Sequence, residues 1–235
     1  MFINLYCAYL LLSLALLSIW FIIFIISKKT RREQLIMSVI FLPLGTLYEI
    51  LHFYDYWKPE SIFSFRIGTI NILLEDFIFS FAIIGIGSVI YELIFRKRLR
   101  KINKRGSPIL NILYIILIDV IVLLSLFYSG VNSIIAVAVS AIALTIFILI
   151  QRKDLFANSL TTGLVMAILM FIIYFIGAHI VSNFDEILKQ IWFFYGKPLG
   201  FKLMGVPLTE LIWAFCFGLF CGPLYEFIKE MRTNR

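Results

Sequence analysis

Charge is scarce in this chain. Only 15% of its 235 residues are Asp, Glu, Lys or Arg, and two are histidine. A soluble globular domain is nearer a quarter charged, so that class is excluded at the outset. Cysteine is scarce too: Cys7, Cys216 and Cys221 all lie in apolar runs, without the spacing or histidines of a metal cluster or disulfide framework, and read as small packing residues. Nucleotide and hydrolase motifs are missing. No P-loop, nucleophile elbow or zinc-protease helix occurs, and the one glycine cluster, GIGSV from Gly85, sits inside an apolar run with no strand before it, as helix-packing glycines do. No metal site and no cofactor are evident.

What the chain has is apolar length. It is 62% hydrophobic with a mean hydropathy of +0.99, and a membrane-crossing helix needs about 20 such residues. Seven runs qualify: 4–27, 35–54, 70–95, 109–128, 131–150, 158–181 and 204–228. The first ends at SKKTRR with no basic stretch before it, so it reads as a span and not a cleaved leader. An all-α, multi-pass protein of the cell membrane is expected, in contact with lipid. The net charge of +7 does not point to nucleic acid, because the basic residues fall in short blocks at span ends. Sixteen lie in the loops after the first, third, fifth and seventh spans and five in the others, which predicts an outside N-terminus and a cytoplasmic C-terminus.

The third and seventh runs align at an offset of 134, LLEDFIFSFAIIGIGSVIYELI against PLTELIWAFCFGLFCGPLYEFI, with six of 22 positions identical and Asp76 opposite Glu210. Acids and a shared YE inside apolar spans rarely coincide by chance. The alignment predicts two parallel three-helix repeats, residues 1–106 and 131–235, joined by a linking helix at 107–130. Each half carries an aromatic segment ahead of its acidic span, FYDYWKPESIFSF and FDEILKQIWFFYGKPLGF, suited to the headgroup level.

Acids inside spans are costly and usually face a bundle interior. Glu75 and Asp76 lie a turn or two inside the predicted outer end of the third span, Glu210 does the same in the seventh, and Glu49, His52 and His179 reach that layer from the second and sixth. Glu75, Asp76 and Glu210 are the catalytic candidates. A carboxyl in a dry pocket keeps its proton near neutral pH and serves as a general acid, with a neighbouring carboxylate as base. Glu49, His52, His179, Phe79 and Trp213 are candidates for binding substrate, the aromatic rings because their faces stabilise a cation. Other readings are plainer. His52 and His179 are close enough to the outer surface to be solvated or hydrogen-bonded residues, Asp119 in the fourth span suits a helix-to-helix hydrogen bond, and Glu92 and Glu226, about 25 Å further along their helices, are expected to pair with Arg or Lys of the basic loops.

Two acidic spans, LLEDFIF from Leu73 and PLTELIW from Pro207, in a chain of this length and span number resemble the membrane-embedded lycopene cyclases of the bacterial heterodimeric and fungal bifunctional type. In that family each half opens a span with an acidic pair. Here the first half lacks the proline and has Asp76 for the second Glu, and the second half has Thr209 where an acid is usual. The resemblance implies an intramolecular lyase or isomerase: an acid protonates the end of a linear carotenoid, the cation closes a ring and a base takes a proton, with Glu75, Asp76 and Glu210 in those roles. An apolar isoprenoid or carotenoid is then the substrate, and homo-oligomer formation stays open. Two alternatives share the features: a small proton-coupled carrier using the buried carboxylates, and a scaffold of the same fold that has lost catalysis.

Overall fold

The computed structural model describes residues 2–67, 70–96, 98–101 and 107–234. Lys97, Lys104, Arg105 and Arg235, four of the basic residues used above for orientation, lie outside them, as does Gly106 at the predicted domain boundary. Among the described residues, seven helices are long and apolar enough to cross a membrane: α1 (Leu5–Ile26), α2 (Arg31–His52), α3 (Leu74–Phe95), α4 (Pro108–Tyr128), α5 (Ser133–Gln151), α6 (Phe156–Ile180) and, after the short α7 (Phe184–Ile191), α8 (Leu208–Lys229). The chain is a multi-pass membrane protein.

Helix starts follow local chemistry. Asn4 and Asn132 accept from the amides of Tyr6 and Ile134, and Pro108 opens α4 where a missing N–H costs nothing. The third and seventh runs prove shorter than their apolar extent suggested. Ile70–Leu73 forms β2, antiparallel to β1 (Ser64–Ile67), and Val206–Pro207 forms β5 against β4 (Lys202–Leu203). In the second hairpin Met204 and Gly205 both take positive φ, 52° and 87°, the backbone a two-residue turn of this hand requires. Hydropathy alone cannot separate the apolar face of a hairpin from the first turn of a span. α3 and α8 each end in a left-handed residue, Arg96 and Glu230, and the strands that follow, β3 (Arg98–Lys101) and β6 (Met231–Asn234), pair with each other.

α3 and α8 are the buried centre. α3 packs against α1 and α2, α8 against α5 and α6, and the two meet each other, while α4 lies outside on α5 and α8. Leucine and isoleucine cover the outer faces, as lipid contact demands. Lipid tails are as apolar as the helices, so close backbone approach and polar bonds carry much of the association. At α6–α8 a Cβ on Gly218 would stand 2.8 Å from both the Gly163 Cα and the Thr162 carbonyl oxygen. Gly218→Ala is therefore expected to part these helices and destabilise the protein by about 1–3 kcal/mol in detergent denaturation, because backbone cannot rotate away as a side chain does. The glycine cluster of the third run behaves similarly: a Cβ on Gly85 would strike Trp20 and Ser38.

α7 is amphipathic, with Ile187, Leu188 and Ile191 buried and Asp185, Glu186 and Lys189 exposed. Lys202 of β4 reaches Asp185 at 2.5 Å and Tyr195 donates to the same carboxylate. The Lys202 bond, then that of Tyr195, holds this carboxyl below its ordinary range. The pair is exposed, so Asp185→Asn should cost no more than about 1 kcal/mol. Because the folded value is lowered, the contribution is present above the unfolded Asp value of about 4 and fades as pH falls through the folded one. Denaturation of the wild type and of Asp185→Asn, compared at neutral and acid pH, checks the sign.

Candidate active site

Glu210 at the acidic end of α8 and Phe79 of α3 face a pocket that Tyr56 and Trp57, in the segment following α2, help to enclose, and that segment is joined to the one following α7. Those segments are tied together backbone to backbone: Lys58 N–H donates to the Ile191 carbonyl at 2.8 Å and Phe193 N–H to the Tyr56 carbonyl at 3.0 Å, with Trp57 opposite Trp192. The wall of the pocket includes Glu49, His52, Tyr56, Phe79, Glu210 and Trp213. Tyr9 of α1 and Tyr174 of α6 complete it.

Glu210 is buried and accepts from the Tyr56 hydroxyl, which also lies 3.1 Å from Thr209 Oγ1. Glu49 of α2 lines the same pocket as Glu210, within electrostatic reach of both Asp76 and Glu210. Tyr174 is within similar reach of Glu210 and Glu49, and Tyr9 of Glu49 and Asp76. The Tyr9 hydroxyl and His52 Nε2 are buried without a hydrogen bond of ordinary geometry. His52 is held from its other side, Nδ1 lying 2.8 Å from Ser133 Oγ, so it is buried and hydrogen-bonded, not solvated. Phe79 and Trp213, equivalent positions in the alignment of α3 with α8, approach at 5.9 Å between ring centroids, and Tyr9 adds a third ring 6.1 Å from Phe79.

The predicted residues divide into three groups. Glu210, Glu49, His52, Phe79 and Trp213 line one pocket. Glu75 and Asp76 are buried beside it and do not form its wall: Glu75 Oε2 accepts from Ser61 at 2.6 Å, and Asp76 Oδ2 accepts from the Leu73 amide at 3.1 Å, capping its own helix. His179 does not join them. Its ring is exposed, bonded to the Phe175 carbonyl at 2.8 Å and lying against the Phe175 ring, because its helical position turns it away from the face that Tyr174 presents inward. Tyr9, Tyr56 and Tyr174 were not expected. Their signal was the hydroxyl itself, a polar group within or beside an apolar span at the depth of the acids.

At the opposite end the expected surface pairing of Glu92 and Glu226 is wrong. Both are buried, with Glu33 of α2, and Asn158 of α6 is the donor, 2.6 Å from Glu226 and 3.5 Å from Glu92. Arg152 is near but occupied, its guanidinium bonded to the Asp154 carboxylate and to the backbone carbonyls of Glu226 and Met231. The basic side chain caps the end of α8 and leaves the carboxyl to the interior. Asp119 of α4 makes the interhelical bonds expected of it, accepting from Tyr48 of α2 and from Ser140 of α5 at 2.5 Å.

A sequence model described as lycopene cyclase matches residues 4–94 and 132–228, most of the chain and both acidic helices. The chain belongs to the lycopene cyclase family. The two matched regions stand on either side of α4, so a cyclase sequence accounts for α1–α3 and for α5–α8, and the pocket draws on both. No curated protein and no solved structure matches the chain.

Proposed function

We propose that this member of the lycopene cyclase family closes a ring at the end of a linear carotenoid or related isoprenoid within the bilayer, most simply the cell membrane, and that its matched regions are two parallel copies of one three-helix unit. The observation that carries the reading is the meeting of Glu210 and Glu49 in one aromatic pocket to which, among the described residues, no lysine or arginine contributes. Glu210 delivers its proton to the terminal alkene, leaving a tertiary carbocation. A neighbouring C=C supplies the electron pair for the new ring C–C bond and the charge moves into the ring. Glu49 then removes a proton from the adjacent carbon, whose C–H electrons form the ring double bond. Atoms balance as an isomerisation, with no redox partner. The faces of Phe79 and Trp213 stabilise the passing cation, and Tyr56 and Tyr174 orient the acid. Glu75 and Asp76, behind the wall, fix the start of α3 and the charge of the layer.

Pigment analysis in a lycopene-accumulating bacterial host tests this directly. Monocyclic or bicyclic carotenoids of unchanged mass are expected, and lycopene left intact beside folded membrane protein defeats the proposal. One observation favours a second reading, a proton-coupled carrier: a second set of buried carboxyls at the opposite end of the same helices. That reading calls for pH-dependent flux in reconstituted vesicles.

A further inference from the structure

Below the acid pocket, between α2, α3, α4, α5 and α8, lies a second, apolar cavity. Its wall is hydrocarbon: Phe41, Leu44, Ile84, Ile115, Leu144 and Phe217 are typical. The hydroxyl, carboxyl and thiol groups on its wall are already bonded inside the protein, Tyr48 to Asp119, Asp119 also to Ser140, and the Cys221 thiol to the Ile84 carbonyl at 3.4 Å, and the other polar side chain is the Trp213 indole that it shares with the acid pocket. An occupant would meet a wall that is hydrocarbon almost throughout, which selects a hydrocarbon over a headgroup, sugar or nucleotide.

Trp213 belongs to the walls of both cavities, and its ring stacks on Phe217 at 5.4 Å on one side and meets Phe79 on the other. The lining of α8 runs from Glu210 in the first cavity to Leu224 in the second, about 21 Å of helix. The outer wall is α4, of which Ile115 and Asp119 are the buried residues, and α4 lies between the two family-matched regions. A helix on that periphery gains little by leaving lipid, so polar bonds fasten it: Asp119 reaches α2 and α5 at once, and Asn111 donates to the Phe227 carbonyl of α8 at 3.2 Å.

We propose that this chamber holds the polyene chain of the isoprenoid whose end group enters the acid pocket, with α4 closing it against lipid through Asp119. The inference rests on the proposed cyclisation for the identity of the ligand, and its test reads binding without conversion. Lycopene is symmetric and achiral, so its visible band gains circular dichroism only when a chiral site holds it. Purified full-length protein titrated with lycopene in detergent should show that signal. Ala141→Phe on α5 and Ile115→Trp on α4 fill the chamber and should each weaken binding about tenfold or more, while Val139→Phe, on an exposed position of α5, should bind as wild type. Ile115→Trp comes from the outer helix and carries the test if Ala141→Phe fails to fold. A wild type without induced dichroism, or folded filling variants that bind lycopene unchanged, overturns the proposal. The expected binding pattern with no cyclic product in any host leaves the chamber standing and removes the cyclase reading alone.

Discussion

Glu210→Gln is expected to lower ring formation by about a hundredfold or more while leaving the protein folded. The amide matches the carboxyl in shape and can still accept from Tyr56, so the helix end and the segment following α2 are kept. What disappears is the transferable proton. Glu49→Gln should fall as far, because the same cycle needs a base on the facing helix and Glu49 is the carboxyl that interacts with both acidic helices. Tyr56→Phe should lose less, since it removes an orienting bond and leaves the acid. Asp76→Asn and Glu75→Gln discriminate between the wall and what lies behind it. Their oxygens are engaged by the Leu73 amide and the Ser61 hydroxyl, so lower stability with a smaller loss of turnover is expected. Pigment yield per unit of folded protein, measured in the lycopene-producing host, ranks the five. Equal activity of Glu210→Gln and wild type would remove Glu210 from the chemistry.

That ranking revises what the sequence could assign. The adjacent acids Glu75 and Asp76 drew attention because two carboxylates in an apolar run are rare, yet adjacency on a helix turns side chains about 100° apart, and which one meets a cavity depends on neighbours distant in the chain. Glu49, one acid near the end of α2, gave a fainter signal and lines the pocket. Depth was legible: Glu210, Glu49 and His52 do converge, and 1.5 Å of rise per residue suffices to find the layer. Azimuth was not, and it separates His52, turned into the pocket, from His179, turned out. Glu92 and Glu226 failed for a related reason. Basic residues crowd their end of the sequence, and proximity along the chain suggested pairing, but Arg152 satisfies Asp154 and backbone carbonyls first. The seven spans were readable because a bilayer imposes length and apolarity on each. The hairpins ahead of α3 and α8 were hidden because Ile70–Leu73 and Val206–Pro207 are as apolar as the helices they precede.

Replacing Asn158 with leucine is expected to be the most destabilising single change away from the pocket. Glu33, Glu92 and Glu226 are each at least 97% buried, and one oxygen of each is already without a hydrogen bond. Asn158 is the donor to Glu226 and Glu92, and its own oxygen accepts from Thr162 at 3.0 Å. Leucine keeps the branched skeleton of asparagine but donates nothing, so carboxyl oxygens on α3 and α8 lose their partner where water cannot replace it, at a cost of about 3 kcal/mol. Adding Glu226→Leu should recover part of that loss, because removing both members of a buried polar contact costs less than stranding one. Thermal unfolding in detergent of the two single variants and the double variant yields the coupling. An Asn158→Leu protein as stable as wild type would mean that water enters this end and satisfies the carboxyls, the condition a proton pathway needs, and vesicle flux would then become the deciding measurement between the cyclase and the carrier.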